Sequence, residues 1–352
     1  MVKTNGKKVL KQSGCEAVYT SCLYQLRYIT GLEPEDGCAI VDETGTTLYT
    51  DMRYMEAAEK LLKGTDVTPV LYKKDEVLKR LACYKSVGIS FDQTAHVEYL
   101  TLEKAGANLI NIDDKLSAVM TVKNEWELEN IAKACEIAEK AFLATLPEIK
   151  EGMTETEVAA LLEYQMRKLG AEGLSFATIV AFGAHAAVPH HETGDTKLAF
   201  GDEILIDFGC KVNGYCSDIT RTFLFGDDGK HEEFKKAYDC VLKAHQLAKE
   251  KIVAGMTGAE ADAIAREYLK AQGYGELFTH SLGHGIGLNV HEFPSVSPKA
   301  TQTKLCDGMV FSDEPGVYKA GEYGIRIEDT VTLKDGKVKS FMSLTDRRLL
   351  IL

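Results

Sequence analysis

No CxxC pair occurs in the sequence, and its nine cysteines are odd in number and scattered from Cys15 to Cys306. Such a set predicts neither a disulfide framework nor a thiolate zinc site, and points instead to a reducing compartment. Positive charge is also scarce: 41 lysines and arginines face 53 aspartates and glutamates, for a formal net charge of -12. Nucleic acid and anionic membrane surfaces need a basic patch to displace counterions, so neither is expected as a partner. No stretch approaches the roughly 18 consecutive apolar residues of a membrane span, and the N-terminal MVKTNGKK leads into no apolar run of signal length. The expected location is the cytoplasm. A phosphate-cradling loop is not expected either, because there is no GxGxxG and no Lys-Ser/Thr after the glycine-rich stretch.

What is present is an ordinary globular composition, 45% apolar and 27% charged over 352 residues, long enough for two domains of unequal size. Between Ala17 and Ile112, β-rich runs (Ala39 to Val41, Thr47 to Tyr49, Val67 to Leu71, Val87 to Ser90, Leu109 to Ile112) alternate with helical stretches such as Arg53 to Leu62 and Thr94 to Ala105. That alternation predicts a small α/β domain over residues 1–117. Asp113 to Lys123 has weak periodicity and reads as a linker, with a second domain over 118–352. A long amphipathic helix is predicted from near Asn124, with Trp126, Leu128, Ile131, Ala134, Ile137, Ala138 and Ala141 on one face.

The second part is internally duplicated. IKEGMTETE from Ile149 to Glu157 matches IVAGMTGAE from Ile252 to Glu260; in both, glycine ends one helix, Thr caps the next and Glu stands three residues later. Both following helices then stop at a glycine, Gly170 and Gly273. TKLAFGDEILIDFG from Thr196 matches TKLCDGMVFSDEPG from Thr303, which sets Asp207 against Glu314. GYCSDIT from Gly214 matches GIRIEDT from Gly324, which sets Asp218 against Glu328, and His191-Glu192 has a counterpart in His291-Glu292. Two halves of helix, helix and hairpin are thus expected to pack about a pseudo-twofold axis with their carboxylates converging.

Asn213-Gly214 signals a type I′ hairpin turn. The turn pairs Val212 with Tyr215 and Gly209 with Asp218, and strand alternation makes Asp207 a diagonal neighbour of Asp218. Any one of these acids alone reads as a solvated side chain. Asp207, however, lies between Ile204-Leu205-Ile206 and Phe208, where a carboxylate costs several kcal/mol unless paired or metal-bound. Four acids at duplicated positions therefore favour a shared cation site. His280, His284 and His291 stand among Gly283, Gly285 and Gly287, small residues that allow close approach. Oxygen-rich ligation with an imidazole suits hard or borderline divalent ions, manganese first, then cobalt, zinc or iron.

IDFGCKVNGYCSDITRTF, HSLGHGIGLNVHE, DEPGVY and GIRIEDT resemble the signature blocks of the pita-bread metallopeptidases, the group of aminopeptidase P, prolidase, methionine aminopeptidase and creatinase. YQLRYITG and LYTDMRYMEAA resemble the creatinase-type N-terminal domain, which methionine aminopeptidases lack. The resemblance implies an α+β chain: a C-terminal pita-bread fold with internal pseudo-twofold duplication, preceded by a smaller α/β creatinase-like domain. It further implies two divalent metal ions per subunit, a peptide substrate and a homodimer. Carried over by motif, Asp207 would chelate one metal, Asp218 and Glu328 would bridge both, and His284 with Glu314 would bind the other. Glu314 would also act as general base, His190 in FGAHAAVPHH would be the substrate-side catalytic histidine, and His291 would stabilise the oxyanion. His280 and Arg326 would line the substrate site.

Two positions depart from the family pattern. Many prolidases carry arginine after HE-x-Pro to grip a dipeptide carboxylate, whereas this chain has Ser295 after Pro294. Ser312-Asp313 precede Glu314 where threonine and an apolar residue are common. The expected activity is release of the N-terminal residue ahead of proline from peptides. Xaa-Pro dipeptidase is the alternative, and a non-catalytic binding module on the same fold would require broken ligands, which are intact.

Overall fold

The computed structural model describes residues 3–352. The chain divides into two compact units, Met1–Met120 and Thr121–Leu352.

The first unit is built on a six-stranded sheet in the order Val67–Leu71, Gly45–Thr50, Cys38–Asp42, Ala17–Thr20, Val87–Ile89, Leu109–Asn111. The three central strands pair antiparallel and the flanking ones parallel. Ala17–Thr20 and Cys38–Asp42 are buried at every position, as strands covered on both faces must be. For that reason Ala17–Thr20 shows no alternation in sequence. The expected linker is a correction: Asp113–Thr121 is a helix. Its Leu116, Val119 and Met120, spaced i, i+3 and i+4, are buried, a stripe too short to stand out as a period.

The second unit repeats one plan twice. Helices Glu125–Thr145 and Glu155–Lys168 precede strands Ile179–Phe182, Glu203–Phe208 and Ile219–Leu224; helices Glu232–Lys251 and Gly258–Ala271 precede Gly283–Gly285, Val310–Asp313 and Asp329–Lys334. Asn124 with Glu127, Thr154 with Glu157 and Thr257 with Glu260 each close a capping box, satisfying backbone N–H groups that the helix leaves open. Val212 pairs with Tyr215 across the Asn213-Gly214 turn, and both turn residues have positive φ, 49° and 79°. The register runs on without a slip, so Asp207 lies opposite Thr220 and diagonal to Asp218. In the other half Asp313 pairs with Asp329 and Gly316 with Arg326, which places Glu314 level with Glu328. Beneath the second half Phe234, Tyr238, Val241, Phe278, Phe311, Ile325 and Val331 form one continuous core.

Candidate metal centre

A cavity of about 730 Å³ opens between the two hairpins, and Asp207, Asp218, His280, His284, His291, Glu314, Arg326, Glu328 and His190 all line it. The structure thus brings together every side chain singled out as a site residue in the sequence. Asp218 and Glu328 are buried. His284 Nε2 lies 3.3 Å from Glu314 Oε1 and 3.6 Å from Asp218 Oδ2, and donor atoms of Asp218, His284 and Glu328 fall within 4.8 Å of one another. The two halves cross-brace these acids. Thr220 and Thr330 are duplicated positions; each hydrogen-bonds the metal-site residue of the opposite half, Glu328 and the backbone of Asp218 respectively.

His284 reaches the site because its strand is short of side chains. A Cβ on Gly283 would stand 1.9 Å from the Ser312 carbonyl oxygen, so only glycine allows that approach. The His284 ring sets its Nδ1 against the Gly285 carbonyl at 3.2 Å, which assigns the proton there and turns the bare Nε2 lone pair to the carboxylates. Burial lowers the pKa of this imidazole and keeps it neutral, as ligation demands.

The donor set fits divalent cations. Burial, and then the neighbouring acids, push Asp218 and Glu328 well above the usual carboxylate range, and burial lifts Glu314 to about 7 even against the pull of Arg326. Four carboxylates held this close repel one another unless positive charge lies among them. Arg326 supplies one such charge, with Nη2 2.7 Å from Asp207 Oδ2, but Asp207 Oδ1 is buried with no hydrogen-bond donor. An acid oxygen in that condition is what a cation satisfies.

Tyr318 is a site residue that the sequence reading missed. Arg326 Nη1 donates to its hydroxyl at 2.7 Å, and that hydroxyl lies 2.9 Å from His280 Nε2. With Nδ1 on the Ser281 carbonyl at 2.8 Å, both His280 nitrogens are engaged. Burial, helped by Arg326, drops the His280 pKa to about 3, so the ring is neutral. The tyrosine stands in DEPGVY, four residues past Glu314; strand alternation carries it to the same face, which was the available signal. Asp313 points the other way. It is buried with Oδ2 3.1 Å from Nδ1 of the buried His245, at ion-pair distance but not aligned as a hydrogen bond.

Residues 129–335 match Metallopeptidase family M24 and residues 5–119 match the Creatinase/Prolidase N-terminal domain. The Xaa-Pro dipeptidase of Pyrococcus furiosus is 38% identical over 347 residues, 97% of each chain. Among solved structures, the X-Pro aminopeptidase of Thermotoga maritima superposes with a TM-score of 0.91 at 36% identity, over 99% of this chain and 100% of that one. The Xaa-Pro dipeptidase of Bacillus anthracis gives 0.91 at 33% identity, over 99% and 98%. Among the described residues no helix is long and apolar enough to cross a membrane. With its duplicated acids and histidines gathered in one cavity of a unit that follows a creatinase-type N-terminal unit in the sequence, the chain is a pita-bread metallo-exopeptidase and belongs to Metallopeptidase family M24.

Proposed function

We propose that the protein is a cytoplasmic, homodimeric aminopeptidase that releases the residue ahead of proline from Xaa-Pro-Yaa peptides, with two manganese ions held by Asp207, Asp218, His284, Glu314 and Glu328. When bound, the ions supply Lewis acidity and offset the crowded negative charge. Glu314 takes and returns the proton of the attacking water, steadied by the Ser312 hydroxyl 2.9 Å from its Oε1. His291, solvent-exposed with its ring centre 4.1 Å from that of His284, has its pKa lowered by partial desolvation and then by His284, and donates N–H to the developing oxyanion. His190, also in the cavity lining, is assigned to the scissile bond. His280 gives the cavity a fixed surface, since both its nitrogens are occupied.

The observation that carries the choice of substrate length is the state of Arg326. Among the described residues it is the one lysine or arginine lining the cavity. Its guanidinium is already spent on Asp207, Thr220 and Tyr318. Ser295, also in the lining, offers a hydroxyl and no charge. A dipeptide carboxylate would be desolvated there without a cation, whereas a tripeptide presents a neutral amide. The 38% identity to the P. furiosus Xaa-Pro dipeptidase favours the second reading, a dipeptidase. Steady-state kinetics of Xaa-Pro-Yaa and Xaa-Pro under one metal condition separate them: the tripeptide is expected to have the higher kcat/KM, and a faster dipeptide would make the protein a dipeptidase.

A further inference from the structure

Glu155 is the first residue of helix Glu155–Lys168, next to the capping Thr154, and its carboxylate is completely buried. Oε1 accepts from Phe182 N at 3.0 Å and lies 2.9 Å from His185 Nδ1. Oε2 accepts from Gly194 N at 3.0 Å and lies 2.8 Å from His191 Nε2. All four lone-pair directions of the carboxylate are thereby used, and each contact goes to one stretch of chain, residues 182–194. The same helix end also holds that stretch by its backbone: Thr156 N and its hydroxyl both donate to the Gly194 carbonyl. Although burial opposes the charge, the two histidines and two amides hold the Glu155 carboxyl below its usual range, so it stays ionised and stays bound.

The clamped stretch is a wall of the catalytic cavity. Pro189, His190, His191, Glu192 and Thr193 line it, while Glu155 itself does not. The His185 and His191 rings lie 4.5 Å apart, centre to centre, on either side of the carboxylate. His190 sits directly beside one of these anchors and lines the cavity together with Glu314, His280 and His291. A loop of this kind, carrying a reactive side chain, needs a fixed support, because a displacement of about 1 Å costs about 10²-fold in rate.

We propose that Glu155 is a positioning residue for peptide hydrolysis: its buried carboxylate, through His185, His191 and two backbone amides, locks residues 182–194 so that His190 is presented to the scissile bond. The proposal rests on the catalytic assignment of His190 given above. Three donors gathered this way would also describe a small cation site, but a carboxylate saturated by four hydrogen bonds has no need of an ion.

The test uses the full chain loaded with manganese, an Xaa-Pro-Yaa tripeptide, and the variants Glu155→Gln, His190→Ala and their combination. Glu155→Gln, which puts an amide N–H where an acceptor is required, is expected to lower kcat about 10²-fold with KM within about threefold. Metal content should be unchanged, and amide hydrogen exchange should accelerate within 182–194. The double variant should be no slower than His190→Ala alone, since residues acting as a unit do not add. His191→Gln keeps both backbone contacts and should show the same pattern at about tenfold, should Glu155→Gln fold poorly. Losses that multiply in the double variant, or unchanged kcat and exchange in Glu155→Gln, would overturn the proposal. So would loss of a metal equivalent in Glu155→Gln, which would make the cluster a cation site. Normal turnover in His190→Ala together with faster exchange in Glu155→Gln would overturn the role of His190 while leaving the anchoring in place, so the two failures are distinguishable.

Discussion

The hydroxyl of Thr220 donates a 2.6 Å hydrogen bond to Glu328 Oε2 while accepting one of 2.9 Å from Arg326 Nε. One small side chain of the first half thereby orients an acid of the second. Thr220→Val keeps the shape and removes the hydroxyl. It should weaken metal binding about 10–100-fold, as loss of a partner behind a ligand does, and a metal titration followed by activity and by calorimetry would read it. Unchanged affinity would mean that Glu328 is oriented without the threonine.

Chelation is expected to abolish turnover, and manganese to restore it first among divalent ions. The mutual repulsion of Asp218, Glu314 and Glu328 predicts a second effect: the stripped protein should melt lower than the loaded one at neutral pH, by an amount that grows with metal concentration. Full activity in protein shown by elemental analysis to be metal-free would contradict both expectations.

His291→Ala should lower kcat by about 10²–10³ with metal occupancy retained, because its N–H is assigned to the transition state. Parallel loss of metal and activity would make His291 a ligand instead.

Ser295→Arg should improve dipeptide cleavage relative to tripeptide cleavage by about 1.5–3 kcal/mol, the range of a charge-assisted hydrogen bond. The comparison of kcat/KM ratios in wild type and variant is the check, and an unchanged ratio would place the substrate carboxylate elsewhere.

The buried His245 gives a pH-dependent stability. Burial opposes its charge, but Asp313 and Asp329 outweigh it and raise its pKa to about 9. Lys249, Arg221 and Arg347 face Asp329 in turn. The native pKa thus lies above the roughly 6.5 of an unfolded histidine. Stabilisation should be complete below about pH 6.5 and lost as pH rises through about 9, on the order of 1–3 kcal/mol. Urea midpoints at pH 6 and pH 9.5, for wild type and His245→Gln, read the effect. Identical slopes in the two proteins would exclude His245 as its source.

The sequence made the candidate metal-binding acids legible because duplication displays them twice: Asp207 with Glu314, Asp218 with Glu328. The hairpin register followed from Asn213-Gly214 alone, since a two-residue turn leaves one pairing. Three features stayed hidden for physical reasons. Glu155 reads as one more acid of a helix start, and only the fold shows its carboxylate turned inward onto residues 182–194. Asp313 resembles an unmatched charge until His245, far earlier in the chain, is placed against it. Helix Asp113–Thr121 carries too few turns for its period to rise above chance.

The reciprocal threonine bracing has a consequence for synthesis. Thr220 and Glu328 are separated by 108 positions. At elongation rates of about 5–20 residues per second, the first half leaves the ribosome on the order of 5–20 s before its partner. At the start of that interval the nascent chain holds Asp207 and Asp218 alone; His284 and Glu314 follow within it, and Glu328 completes the set only at its end. Hydrolytic capacity therefore arrives in a single late event, when the second hairpin docks, and an unfinished chain cannot cut its neighbours.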